Sequence, residues 1–197
     1  MKKSLLAAVL LSAATLTAQA AESTYKIDPT HTFPTFEISH LGFSTFRGRF
    51  DKTEGTITLD TAKKTGSVDV TIDANSISTG VPKLDEHLKN EDFFDTKKYP
   101  TITFKGSKFK FDGDKLDEVT GELTMHGVTK TVTLDVDDFV CKQHPMLGIW
   151  ACGANLETKI KRSDWGISKY SPNVGEEVEL KIEVEAHQQK DGAGSKR

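Results

Sequence analysis

Near neutral pH the side chains best suited to chemistry in this 197-residue sequence are its six histidines and two cysteines. His31, His40, His87, His126, His144 and His187 show neither the i, i+4 helical spacing of H-E-x-x-H nor partners at zinc-finger intervals. The motif reading therefore assigns no metal, leaving open only a site assembled from distant residues. Asp28 and His31 are close enough to interact, but no G-x-S-x-G nucleophile elbow accompanies them. Hydrogen bonds in a turn before a strand are the simpler account of that pair. Neither G-x-G-x-x-G nor G-x-x-x-x-G-K is present, so nucleotide binding has no sequence warrant. No residue is assigned a catalytic role, and the chain is read as a non-enzyme without a catalytic cofactor.

The cysteines take their meaning from the start of the chain. Met1-Lys2-Lys3, the apolar run from Leu5 to Leu11 and the small-x-small Ala18-Gln19-Ala20 have the form of a secretory signal peptide over residues 1–20, cut before Ala21. The product is expected outside the cytoplasm, in a bacterial periplasm or secreted. Cys141 and Cys152 then lie in an oxidising compartment and are predicted to form a disulfide around a short turn, worth about 3 kcal/mol in the chain-entropy model. A redox or metal pair is the rival, but neither C-x-x-C nor a second ligand cluster accompanies it.

Without Lys2 and Lys3, 24 Lys and Arg face 29 Asp and Glu, a formal charge of −5. An acidic chain argues against nucleic acid or an anionic bilayer as the main partner. No stretch beyond the leader approaches the ~18 consecutive apolar residues of a membrane span, and no Cys stands at the cleavage point to take a lipid. Stable membrane insertion is not expected. Residues 21–187 fit one domain, and the polar, Gly-containing stretch 188–197 is expected to be a flexible tail.

Period-two alternation dominates from Tyr25 onward, the mark of strands with one apolar and one solvated face. Val178, Leu180, Ile182, Val184 and Ala186 point one way and the intervening Glu and Lys the other. Val68 to Ile72, Ile102 to Phe104, Phe109 to Phe111 and Val132 to Val136 repeat the pattern. His126-Gly127 reads as a hairpin turn. A two-residue loop pairs Met125 with Val128 but sets Lys130 beside Leu123; a four-residue loop pairs Leu123 with Val132, and both registers stay open. Pro82 to Asp95 breaks the period, with Leu84, His87, Leu88 and Glu91 at helical spacing. These elements predict an all-β fold, a closed antiparallel β-barrel of about eight strands with one short helix inserted around residues 83–94. A sandwich is disfavoured because the outer positions are charged along nearly every strand. Eleven Phe supply ample apolar surface, but alternation alone does not separate a filled interior from one holding a ligand.

Tyr25-Lys26-Ile27-Asp28-Pro29-Thr30-His31, Phe36-Glu37-Ile38-Ser39-His40-Leu41-Gly42 and Phe46-Arg47-Gly48-Arg49-Phe50 resemble the opening of the YceI-like, polyisoprenoid-binding family. Asp85-Glu86-His87-Leu88, Asp92-Phe93-Phe94-Asp95, Lys98-Tyr99-Pro100-Thr101-Ile102-Thr103-Phe104 and the hairpin about Gly127 are similar to its middle, and Arg162-Ser163-Asp164-Trp165-Gly166-Ile167 to its later motif. The Cys141–Cys152 pair, and Trp165 where Phe is commoner, depart from the pattern. The resemblance implies a lipocalin-like barrel whose apolar tunnel holds a polyisoprenoid or another amphipathic chain, sometimes as a homodimer, with no catalytic residues.

A protein of that kind is expected to carry or sequester a polyisoprenoid, an isoprenoid quinone or a fatty amide. Face alternation selects Phe36, Ile38, Phe104, Leu123, Leu134, Leu156 and Ile182 as its lining, and His31, Lys130 and Arg162 as a polar mouth. Two other readings stand beside it. An enzyme acting on a lipid or quinone would need reactive groups facing the cavity, and a stress-related interaction module would use the charged exterior.

Overall fold

The computed structural model describes residues 22–189, so the signal-peptide reading of residues 1–20 and the cleavage before Ala21 lie outside the described residues. Eleven strands follow in chain order: β1 (Ser23–Ile27), β2 (Phe33–His40), β3 (Ser44–Phe50), β4 (Thr53–Asp60), β5 (Thr65–Asp73), β6 (Ile77–Ser78), β7 (Thr101–Asp112), β8 (Lys115–Met125), β9 (Val128–Gln143), β10 (Trp150–Lys161) and β11 (Val174–Gln188). Among the described residues one α-helix, α1 (Pro82–Leu88), lies between β6 and β7.

These strands close on themselves through β1, which pairs with β4 on one edge and with β11 on the other. The closed ring runs β1-β4-β5-β7-β8-β9-β10-β11, eight strands, and every pairing in it is antiparallel. Beyond β1, the same edge of β11 is taken up by β2, which continues through β3 to β6. The segments β1 and β2, β3 and β4, and β5 and β6 are thus broken halves of long strands, interrupted at 28–32, 51–52 and 74–76. Closure removes the exposed edges that such charged-outside strands would otherwise present. The 15 residues of β11 span about 50 Å, which makes the barrel long.

Bulges adjust which side chains face inward. Between β9 and β10 the register shifts, with Leu156 opposite Val136 but Asn155 opposite Asp138. The extra residue reverses the alternation, so that Phe139 and Cys141 join Val132, Leu134 and Val136 on the inside. A shift after Gly106 does the same for Phe109 and Phe111, which follow Ile102 and Phe104 inward.

The β8–β9 turn has two residues, Met125 pairing with Val128 and Gly121 with Val132. His126 and Gly127 both take positive φ, 50° and 76°, the twist that a tight hairpin needs. Lys130 does face buried Leu123, but so near the hairpin end that its side chain stands exposed.

The helix is shorter than its hydrophobic spacing predicts, ending at Leu88 instead of continuing to Phe94. Asn90 turns the chain there: its side-chain carbonyl accepts from the Asp92 amide at 2.9 Å, and its backbone carbonyl accepts from Phe93 and Asp95. Apolar spacing continues past that stop because Phe93 and Phe94 still face the barrel, from turns. At the other terminus β11 runs one residue further than the expected domain boundary, with Gln188 paired to Tyr25; residues 190–197 lie outside the described residues.

Candidate functional site

Inside the barrel the apolar faces do not meet everywhere. A cavity of about 180 Å³ occupies the half of the barrel nearer the β9–β10 turn, and a second of about 400 Å³ lies toward α1. Phe36, Phe50, Met125, Ile160 and Leu180 line both, so the two chambers abut along shared walls. Together they reach the roughly 300–1,000 Å³ usual for ligand sites. Phe36, Phe109, Ile182 and Val184 point inward yet stay only partly buried, because they face open room where packed neighbours would otherwise cover them.

All seven residues selected by face alternation stand on these walls. Phe36, Phe104, Leu123, Leu134, Leu156 and Ile182 line the upper chamber, Phe36 also lines the lower one, and Ile38 lines the lower one alone. Each comes from a different strand except Phe36 and Ile38, so the barrel closure itself brings them together. The far end of the upper chamber is bounded by Tyr25, Ile27, Leu59 and Ala186 packed with Phe139 and the disulfide. Cys141 and Cys152 are direct cross-strand partners, their Cα atoms 4.1 Å apart, and the predicted bond is formed. Burial raises the Tyr25 phenol above its ordinary pKa, offset in part by a hydrogen bond with Ser23.

The lower chamber includes residues that alternation could not find. Leu84, His87, Leu88, Phe93 and Phe94 come from α1 and the turns after it, and Tyr170 from the loop before β11. They are aromatic-rich: Phe50 and Phe94 meet edge to face with centroids 5.4 Å apart, and His87 meets Phe93 at 4.9 Å. A period-two reading misses them because no strand carries them. The paired Phe93-Phe94 in a polar turn segment was the available signal. Exposed His40 and Tyr170 are among the residues lining this chamber.

The three residues expected at a polar mouth are not brought together. Lys130 is exposed at the β8–β9 end and lines neither chamber. His31 lies on the outside of the barrel, its Nδ1 2.8 Å from Asp28 Oδ2, and also lines neither chamber. Burial opposes ionisation of Asp28, but hydrogen bonds from His31 and from the hydroxyl and amide of Thr30 outweigh it and hold the carboxyl at about 2. The same contact raises the His31 pKa.

Only Arg162 borders a chamber, and its guanidinium is committed elsewhere. Nε donates to Gly175 O at 2.7 Å, Nη1 to Ile167 O at 3.1 Å and Nη2 to Val174 O at 3.0 Å. The Ile167 carbonyl belongs to the segment between β10 and β11 and the other two to the first residues of β11, so Arg162 fastens that segment to the start of β11. Burial lowers its pKa from the usual arginine value. Trp165, next to it, donates Nε1–H to the Leu123 carbonyl at 3.2 Å and is buried. The chamber walls thus supply a long apolar surface with aromatic residues toward one end. Among the described residues, no helix is long and apolar enough to cross a membrane.

Comparison with known proteins agrees with this architecture. Protein YceI of Escherichia coli O157:H7 is 41% identical over 193 residues, covering 96% of this chain and all of that protein. The crystal structure of the Campylobacter jejuni YceI protein matches with a TM-score of 0.68 at 32% identity, covering 78% of this chain and 91% of the other. A polyisoprenoid binding domain from Saccharophagus degradans, implicated in plant cell wall breakdown, shares the fold with a TM-score of 0.64 at 20% identity, over 84% of this chain and 98% of that domain. The family model of the YceI-like domain matches residues 25–186, which takes in almost all of the barrel, and the chain belongs to that family.

Proposed function

We propose that this protein binds one long amphipathic chain, a polyisoprenoid, an isoprenoid quinone or a fatty amide, and carries or sequesters it outside the cytoplasm. The carrying observation is the pair of abutting chambers, walled by apolar side chains from every strand of the ring. Each buried CH₂ contributes about 0.8 kcal/mol, so a multi-isoprene tail is held there with few polar contacts. The guest's tail fills the upper chamber between Phe104, Leu134 and Ile182, and its wider end lies among the aromatic residues of the lower chamber. It enters past His40 and Tyr170. Family membership and the shared fold of the S. degradans domain support this reading.

A location outside the cytoplasm is supported by the leader-like Met1–Ala20 pattern and by the Cys141–Cys152 bond, since disulfides persist in oxidising compartments. The enzymatic alternative would recruit His31 first, but His31 sits outside the chambers. Organic extraction of protein purified without detergent, followed by mass spectrometry, tests the proposal. An isoprenoid or fatty chain in stoichiometric amount is expected; repeated absence of lipid, together with failure to take up added prenyl chains, contradicts it.

A further inference from the structure

On the outer wall, at the break between β1 and β2, Asp28, His31 and Glu185 converge and His187 stands beside Asp28. Asp28 and His31 are three apart in the turn. Glu185 and His187 are two apart on β11, which puts them on one face of the strand. Asp28 Oδ2 lies 2.8 Å from His31 Nδ1 and 3.8 Å from His187 Nε2. Ligand atoms of Asp28, His31 and Glu185 all lie within 4.8 Å of one another.

Hydrogen bonding within the turn explains Asp28 and His31 but leaves His187 unexplained. Its Nε2 is shielded from water, has no hydrogen-bond partner and faces the Asp28 carboxylate. A buried polar nitrogen left without a partner carries a desolvation cost of about 1–3 kcal/mol, and an absent ion is among the ordinary reasons for one. The backbone around the cluster is also fixed in advance. Asp28 N donates to Glu185 O at 2.9 Å, and Thr32 Oγ1 accepts from Glu185 N at 3.1 Å, which ties the turn to the strand.

We propose that Asp28, His31, Glu185 and His187 form a binding site for one divalent transition-metal ion, with Zn²⁺ the fitting probe. Two imidazoles and two carboxylates are a ligand set that Zn²⁺ accepts in tetrahedral geometry, and the two carboxylates neutralise its charge. The ion takes the place of the proton that His31 shares with Asp28 and gives His187 Nε2 its partner. Bound there, it fastens the β1–β2 break to β11 at the seam where the barrel passes from one strand half to the other. The proposal does not depend on what the chambers hold.

The test is calorimetric titration of chelator-treated mature protein with Zn²⁺ at about pH 7.5, above the ordinary histidine value. One ion per chain is expected. His31→Ala and His187→Ala should each weaken binding by more than the roughly 10–100-fold that changes outside the ligand set cost. Glu185→Gln is a milder substitution that should weaken it in the same direction, and Glu183→Gln, on the same face two residues away, should leave it unchanged. Circular dichroism establishes that each variant is folded. No saturable binding to the folded wild type, binding that survives both histidine substitutions, or equal loss in Glu183→Gln would overturn the site.

Discussion

The ring of Phe36 lies over Gly48, its cross-strand partner, so closely that a Cβ on Gly48 would stand 2.4 Å from Phe36 Cζ. Phe36 lines both chambers, so this contact sets the position of the ring where they abut. Gly48→Ala must push the ring into the open room. The expected result is a loss of stability of about 1–3 kcal/mol and weaker binding of the longest guests. Trimming the ring as well, in Gly48→Ala with Phe36→Leu, should recover binding. Thermal unfolding and ligand titration on both variants check this.

Ala154 faces the upper chamber from β10. In a filled interior, Ala154→Phe would cost about 1–3 kcal/mol through overpacking. In a chamber the added ring has room, so stability is expected to hold or rise while guest capacity falls. Chemical denaturation alongside lipid quantification separates the two, and the sign of the stability change decides between them.

Arg162→Met removes three hydrogen bonds from a charged donor and leaves the carbonyls of Gly175, Ile167 and Val174 without it. Charge-assisted bonds are worth about 1.5–3 kcal/mol each, though they do not add fully. A destabilisation of at least about 2 kcal/mol is expected, with little change in preference among guest headgroups. A change in headgroup preference without loss of stability would restore Arg162 to a mouth role.

Acid stability should depend on Asp28. Its folded-state pKa, about 2, lies below the unfolded value of about 4, so the unfolded chain binds the proton more readily. Its contribution is present above about pH 4 and is lost as pH falls toward 2. His31 runs the other way: its pKa is raised in the fold, so its contribution is complete below about pH 6.5 and declines as pH rises through the raised value. Urea unfolding across pH should show a shallower acid limb in Asp28→Asn. An unchanged limb would contradict the assignment.

Alternation along β7 to β11 made most of the ring and five of the seven selected wall residues legible in the sequence, because each strand there buries one face and wets the other; Phe36 and Ile38 came from the apolar positions of β2. The bulge at Asp137 and the shift after Gly106 were not legible, since a one-residue insertion alters pairing without altering composition. For the same reason Phe139 and Phe109 reach the interior from positions that a strict period places outside. The polar-mouth residues were misplaced for another reason. His31, Lys130 and Arg162 share a charge class but no strand face, and only packing shows that one binds an aspartate, one meets solvent and one holds a loop. The lower chamber depends on turns after α1, where side-chain direction follows from Asn90 and the left-handed Asp95 and has no period.

The most direct measurement is titration of lipid-freed protein with prenyl alcohols of increasing length. Saturable binding of one guest per chain is predicted, with affinity rising as isoprene units are added and levelling off once both chambers are filled. Ala154→Phe should bring that plateau to shorter chains. Absence of saturable binding at every length, or an affinity indifferent to length, would contradict a barrel built to enclose a hydrocarbon tail.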